Sequence, residues 1–493
     1  MKRRHFFNLT AKAAAAAALM PYLMSGSARA ATRRNVLFIA IDDLRPELNC
    51  YGATHIHSPN IDRLAGQGTL FKRAYCQLAV CNPSRASLMT GLRPDTSRVW
   101  TLQTHFRDNV PDVVTLPQHF MNNGWHSQGM GKIYHTGHGN RDDKFSWSVP
   151  HGTPGINNYL LEESLHALRE NQRKSKEDKS FGWSNGPPTE VADVPDQAYR
   201  DGATTELAIR TMRMKKEDAF FLAVGFSKPH LPFCAPKKYW DLYDANKIEL
   251  PDNPYAAKGS PDYALANFGE LRKYDGIPAE GPVSDAQAIR MIHGYYACVS
   301  YVDALVGKLL TELDALGLRQ NTTVVLWGDH GWKLGEHGSW CKHSNVELDT
   351  QAPLICSDPD LPKGRVTDAL VEFVDIYPSL CELSGLPVPA QVEGDSFVPL
   401  MRNPGQPWKR AAFSQYPRGN NRMGYTMKTD GYRYTEWVSR DGKRQVEATE
   451  LYDHLKDPDE NVNVVHEDAY AAIVPGLAAM MLAGWQASRP GQG

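Results

Sequence analysis

The chain contains eight cysteines but no C-x-x-C pair, which excludes a zinc ribbon and a thioredoxin-type redox motif. It lacks an apolar run long enough to cross a bilayer: the alanine-rich stretch near the N-terminus is interrupted and too short, so no membrane anchor is expected. It lacks a charge excess, with 54 Lys and Arg against 56 Asp and Glu and a formal net charge of −2. Nothing therefore draws the whole molecule to nucleic acid or anionic lipid, and any bound anion must be held by local design. Internal repeats and coiled-coil heptads are also missing. What remains is the composition of a folded protein, 42% hydrophobic and 22% charged with 11 Trp and 21 Tyr, and its aromatics exclude wholesale disorder.

The first residues read MKRRHFFNLTAKAAAAAALMPYLMSGSARAAT. A basic start, an apolar stretch and Ala28-Arg29-Ala30 form an export signal with an A-x-A cleavage site. Arg3-Arg4 followed by Phe6-Phe7 resembles the twin-arginine type, with an ordinary secretory signal as the alternative. The expectation is a bacterial exported protein, periplasmic or secreted, starting near Ala31 and using the twin-arginine translocase. If Cys81 is reserved for chemistry, seven cysteines remain and cannot all pair, so mostly buried thiols and at most a few disulfides are expected.

Short apolar, β-rich runs recur between helical patterns. Residues 35–41 (NVLFIAI), 126–130, 219–226 (AFFLAVGF) and 322–327 (TTVVLW) suit strands buried on both faces. Helical patterns cover residues 60–66, 116–123 and 286–316. The layout is α/β, a mostly parallel sheet covered by helices on both faces. Residues 141–197 are polar and read as an insertion or long loop over the sheet. Near Pro404 the character changes, and GYRYTEWV, RQVEATELYD and a helix over 468–487 predict a small antiparallel sheet plus helix. The expected division is residues 1–30 export signal, 31–405 catalytic domain and 406–493 C-terminal subdomain.

Each strand run leads into polar residues of one kind. The first leads into Asp42-Asp43, the second into Lys132 and His135, the third into Lys228 and His230, and the fourth into Asp329-His330. Ligands of open α/β sheets bind outside the carboxyl ends of the strands. Asp42, Asp43 and Asp329 are oxygen donors suited to Ca²⁺ or Mg²⁺, with His330 a less usual ligand from the same turn. Lys132, His135, Lys228, His230 and Lys342 form a cationic set around that metal, which calls for a tetrahedral oxyanion, sulfate or phosphate, between them. Cys81, in CNPSRASLMTG, falls at a helix N-terminus because Pro83 suits the first turn. Arg85 lies about one turn further on. A phosphotyrosine-phosphatase loop would need arginine where Ser87 stands, and a papain-like site would need no carboxylate-bound metal.

Cys81-Asn82-Pro83-Ser84-Arg85 with Thr90-Gly91 resembles the sulfatase signature C-x-P-S-R…T-G, within the alkaline phosphatase superfamily. IDDLRPELNCYG, RPDTSRVW, GKIYH, KPHLPF, GDHGWKLGEHGSWCKHSN and DGYRYTEWV resemble the iduronate-2-sulfatase branch, from about Asn35 to Asp453. That resemblance implies an alkaline-phosphatase-like fold and conversion of Cys81 to formylglycine (3-oxoalanine), whose hydrate is the nucleophile, by a formylglycine-generating or sulfatase-maturating enzyme. It implies Ca²⁺, ahead of Mg²⁺, held by Asp42, Asp43, Asp329, His330 and modified Cys81. Arg85 would hold the formylglycine, Lys132 would contact nucleophile and sulfate, His135 would be the base of the second half-reaction, and His230 and Lys342 would bind the ester and assist the leaving oxygen. The implied activity is hydrolysis of sulfate esters of sugars, such as sulfated uronic acids or polysaccharide fragments. The alternative is a phosphodiester or phosphonate monoester hydrolase with the same site. Trp100, His105, Arg107, Tyr416, Arg418 and Arg422 are candidates to receive the sugar.

Overall fold

In this computed structural model, residues 33–419 and 421–491 are described, and the expected export signal with its cleavage site lies outside them. The described residues form one compact unit. The strands of the main sheet are β1 (Asn35–Asp42), β2 (Thr69–Tyr75), β3 (His126–Gly131), β4 (Phe220–Pro229), β5 (Thr322–Gly328), β6 (Leu354–Ser357) and β7 (Arg365–Glu372). Their order is β7-β2-β6-β5-β1-β4-β3. Only β6 runs against its neighbours β5 and β2; the other pairings are parallel. The mostly parallel sheet is therefore as expected, although the sequence reading had not singled out β2, β6 or β7.

Strand β1 shows why both faces are covered. Successive side chains of a strand point to opposite faces. Leu37, Ile39 and Ile41 enter one core with Ile61 of α1 (Pro59–Gly66), Met212 of α5 (Arg200–Met214) and Leu305 of α6 (Asp285–Ala315). Val36, Phe38 and Ala40 enter the other with Met89 of α2 (Cys81–Thr90), Phe120 of α3 (Leu116–Asn122) and Leu380 of α7 (Ile376–Leu383). Each of these helices packs against one face of the sheet, so both β1 faces are buried.

The polar segment 141–197 is more structured than its composition suggests. It contains the 16-residue helix α4 (Glu162–Glu177), of which only Ser164 and Asn171 are buried. Its apolar stripe is narrow, Leu165 and Leu168 packed half-buried against the core, and its polar face is laced by Arg173 ion pairs to Glu170 and Glu177. The C-terminal expectation of an antiparallel sheet holds: β8 (Ala412–Arg418), β9 (Arg422–Lys428), β10 (Tyr432–Ser439) and β11 (Val446–Asp453) pair in sequence order. Its helix is shorter than expected, α8 (Val474–Ala483), with single turns on either side. Leu477 and Met481 of α8 pack on Met427, Tyr434 and Leu451. All eight cysteines are free thiols, seven buried and Cys50 half-buried.

Candidate active site

Five strand ends meet at one edge of the sheet. β1 ends in Asp42 and turns at Asp43, whose φ of 60° lies in the left-handed region. In an unbroken strand these neighbours would face opposite ways. The turn instead brings both carboxylates within ligand distance of the Cys81 sulfur. Strain of this kind persists where surrounding bonds over-determine it. Here the Asp43 N–H donates to Asp329 Oδ1 at 3.0 Å, and Tyr295 Oη donates to the Asp43 carbonyl at 2.9 Å. At the ends of β3 and β4, a Cβ on Gly131 (φ 71°) would lie 2.0 Å from the Gly225 carbonyl. Only glycine permits that approach, which lets the Lys132 N–H donate to Gly225 O at 2.9 Å.

Cys81 opens α2, a helix whose ten residues are all buried. The thiol, 2% exposed, lies 3.4 Å from His330 Nε2 and 3.8 Å from Lys132 Nζ. Burial and then the Asp42 carboxylate push it well above the ordinary thiol range, so an unmodified Cys81 is a neutral thiol and a weak nucleophile. Arg85 is fully buried: Nε donates to Asp329 Oδ2 at 2.8 Å, Nη2 to Asp42 Oδ1 at 3.1 Å, and Nη1 to the Ile133 carbonyl at 2.9 Å. Lys132 pairs with the other Asp42 oxygen. Burial would raise the Asp42 carboxyl, but Lys132, His230 and Arg85 hold it well below its usual range. For Asp43 burial prevails over His230 and Lys342, and its carboxyl is raised.

The donor set fits a hard divalent cation. His330 Nδ1 faces the Gly331 carbonyl at 3.0 Å, and a proton held there lets Nε2 serve as a metal ligand. Nε2 lies 3.4 Å from Asp43 Oδ1 and 3.6 Å from Asp329 Oδ1, so it shares one small space with two carboxylates. Asp42, Cys81, Asp329 and His330 can converge on one point, as can Asp42, Asp43, Cys81 and His230. Oxygen donors from three carboxylates suit Ca²⁺ or Mg²⁺.

Above this floor is a cavity of about 440 Å³ lined by Cys81, His135, His230, Glu270, Lys342 and His343, among others. His230 Nδ1 donates to the Leu231 carbonyl at 2.6 Å and Nε2 faces Glu270 Oε1 at 3.0 Å. Both nitrogens meet acceptors. Lys342 Nζ bridges Asp43 Oδ1 (3.1 Å) and Glu270 Oε2 (2.9 Å). For His135, burial and the Lys132 ammonium push the imidazole down to about 3. Its Nδ1 is buried without a partner among the described residues and its ring stacks on His138 at 5.5 Å. The cavity therefore keeps His135 a neutral imidazole.

Ten of the sequence-derived residues meet here: Asp42, Asp43, Cys81, Arg85, Lys132, His135, His230, Asp329, His330 and Lys342. Lys228 does not join the cationic set, because its ammonium donates to the carbonyls of His230 and Pro232 at 2.7 and 2.6 Å. It shapes the turn that carries His230. The candidate sugar contacts are mostly committed elsewhere. His105 caps a turn by accepting from the Arg107 N–H at 3.2 Å, and Arg107 clamps Asp143 at 2.6 and 2.7 Å. Trp100 donates to Asp95 at 3.2 Å and lies under Arg440, and Arg422 pairs with Glu447. Tyr416 and Arg418 do reach the cleft, through His343: Tyr416 Oη lies 2.8 Å from its Nδ1 and Arg418 donates to its carbonyl at 2.5 Å.

The sequence reading missed Glu270 and His343. Glu270 joins His230, Lys342 and His343, and the two cations outweigh its burial to hold it well below the usual carboxylate range. It sits in an irregular loop with no strand-end pattern to mark it. His343 was findable, being the neighbour of Lys342.

The Sulfatase family model matches residues 34–386, and the model for the C-terminal part of N-sulphoglucosamine sulphohydrolase matches residues 335–486. The chain belongs to the sulfatase family. Iduronate 2-sulfatase of Homo sapiens is 34% identical over 523 residues, covering 90% of this chain and 93% of that one. A sulfatase of Formosa agariphila is 33% identical over 457 residues, covering 91% and 86%. Among solved structures, the phosphonate monoester hydrolase of Silicibacter pomeroyi superposes with a TM-score of 0.73 at 21% identity, covering 93% and 96%. A chain solved with its substrate D-glucosamine-2-N,6-O-disulfate gives 0.72 at 21% identity, covering 92% and 98%. These two establish the shared fold. The enzyme is thus a sulfuric ester hydrolase with the alkaline-phosphatase-like α/β architecture.

Proposed function

We propose that this sulfatase is formylglycine-dependent, is exported, and removes sulfate from O-sulfated sugars. The observation that carries the reading is the setting of Cys81: buried, 3.4 Å from His330 Nε2 and 3.8 Å from Lys132 Nζ, among three carboxylates. A neutral thiol accounts for none of these neighbours. Converted to the aldehyde hydrate, residue 81 supplies one hydroxyl as nucleophile and a second whose deprotonation lets sulfate depart. Asp42, Asp43, Asp329, His330 and residue 81 would hold Ca²⁺, which supplies positive charge to sulfate oxygens.

The chain's own side chains do the rest. Arg85, fixed by both Asp42 and Asp329, orients residue 81 at the helix N-terminus. Lys132 and Lys342 present ammonium groups from two sides, where charge on a transferring sulfuryl group is stabilised. His230, with Nε2 on the cleft side beside Glu270, is placed to give a proton to the departing sugar oxygen. His135, kept neutral, accepts a proton from residue 81. Glu270 is a positioning residue that aims His230 and Lys342 together.

Sulfated saccharides are the substrate class supported by the iduronate 2-sulfatase relatives. On this reading residues 31–405 carry the chemistry and 406–493 complete the cleft wall. A maturation enzyme modifies Cys81 before twin-arginine export to the periplasm or beyond. No helix among the described residues is long and apolar enough to cross a membrane. Mass spectrometry of the peptide containing residue 81 tests the modification: active enzyme should show the aldehyde, and an ordinary thiol in active enzyme would overturn it. Aryl sulfate should be turned over faster than aryl phosphate diester or phosphonate monoester; the reverse order would favour the phosphohydrolase reading. Chelation should remove activity, and Ca²⁺ should restore it.

A further inference from the structure

A second cavity, of about 470 Å³, opens between the catalytic sheet, the C-terminal sheet and the end of α8. No residue lines both this cavity and the catalytic cleft. Strand β8 runs past both: Tyr416 reaches His343 in the cleft, while Phe413, Ser414 and Gln415 line the second cavity.

The second cavity holds an unexplained buried amide. Gln77 is 1% exposed, lines the cavity, and has no hydrogen-bond partner for either Oε1 or Nε2 among the described residues. Arg93, also buried and lining the cavity, uses both terminal nitrogens on Glu372 at 2.7 Å and leaves Nε unpartnered. A buried polar group without a partner is costly and calls for a ligand or ordered water. Two donors and one acceptor are therefore free in one pocket. The charges nearby are already matched: Arg93 by Glu372, Arg444 by Glu436, and Asp95 by donors from Trp100, Tyr425 and Gln415. The walls are aromatic, with Trp485 under the Arg93 guanidinium at 4.6 Å, and Tyr425 and Phe413 beside it.

Donors and an acceptor whose surrounding charges are already matched, set among aromatic rings, suit a ring that is apolar on its faces and hydroxylated at its edge. We propose that this cavity is a binding subsite for a neutral sugar residue, with Gln77 and Arg93 Nε holding its hydroxyls and Trp485 its face. The saccharide class rests on the substrate reading above; the presence of an unfilled polar pocket does not. Such a subsite, separate from the cleft, would tether a glycan chain at an unsulfated residue while a sulfated one is processed.

Saturation-transfer NMR on the full exported chain, with N-acetylglucosamine and methyl glucoside as probes, tests this. Transfer to at least one probe is expected in wild type and equally in Cys81→Ala, which separates the subsite from the catalytic reading. Trp485→Ala and Gln77→Leu should weaken the signal at least fivefold, while aryl sulfate turnover stays within twofold. Trp485→Ala, at a half-buried position, serves if Gln77→Leu does not fold. Absence of transfer to both probes, or transfer that survives Trp485→Ala, would overturn the proposal; the pocket would then hold water only. Loss of turnover on sulfated saccharides with sugar binding retained would count against the substrate reading alone.

Discussion

Two of the places where the chain buries charge densely are around Arg433 in the C-terminal sheet and around Cys81 at the edge of the main sheet. Arg433 donates Nε to Glu460 at 2.6 Å, pairs with Glu347 through Nη2, and reaches Thr350 and Thr426 at 3.0 and 3.3 Å. Tyr75 closes Glu347 at 2.7 Å and His454 closes Glu460 at 2.8 Å. Glu347, His454 and Glu460 lie close enough together to hold a metal ion, but the guanidinium already joins the two carboxylates. Around Cys81 the carboxylates are also paired, yet His330 Nε2 stands 3.4 and 3.6 Å from two of them and His135 Nδ1 has no partner among the described residues. One cluster is closed and joins the C-terminal sheet to residues 347–350. The other is not closed, and it is where the proposed cation and sulfate group would be held. Buried charge is thus a sign of function only where the hydrogen bonding does not close.

Substitutions should separate the two clusters cleanly. The largest effect is expected from Cys81→Ala, which should lower turnover of an aryl sulfate by at least about 10³-fold while leaving the denaturation midpoint near that of wild type. Activity near wild type would remove the distinction. Arg433→Ala should do the converse. Stranding Glu347 and Glu460 in a buried site should cost roughly 3–5 kcal/mol in denaturant unfolding, with the folded fraction still active. Glu270→Gln lies between them: it should reduce kcat by roughly 10–100-fold, as loss of an orienting partner does at other sites, and change the pH profile of turnover. A purely structural Glu270 would leave that profile unmoved.

Acid should open the closed cluster. Burial works against ionised Glu460, but Arg433 and then His454 lower it from 4.5 to about 2. Its folded value lies below its unfolded one, so its contribution is present above about pH 4.5 and is lost as pH falls toward 2. The slope is at most about 1.4 kcal/mol per pH unit for one group. Urea titrations of wild type and Glu460→Gln across that window should converge at the acid end. The smallest effect is expected from Arg422→Ala, whose exposed pairing with Glu447 should be worth less than about 1 kcal/mol and should leave turnover unchanged.

Much of the cleft was legible because its residues sit in runs with a mechanism attached. NVLFIAI-Asp42-Asp43 and TTVVLWG-Asp329-His330 are each a doubly buried strand that leads at once into side chains suited to a metal. Lys228 followed the same pattern and misled, because a lysine at a strand end can equally tie down its own turn. Helix α4 escaped notice because its apolar stripe is narrow, Leu165 and Leu168 on an otherwise polar helix. Glu270 carried no signal because its partners, His230, Lys342 and His343, come from elements remote in sequence.

The sequence by itself determined the buried strands, the helix that begins at Cys81 and the chemical kinds of residue at the strand ends, because period, turn residues and motif spacing act locally. The tertiary structure alone decided which cations meet which carboxylates, that Asp43 turns back beside Asp42, and that Gln77 is buried without a partner. Those facts depend on burial and on distances between segments far apart in the chain, which no local pattern encodes.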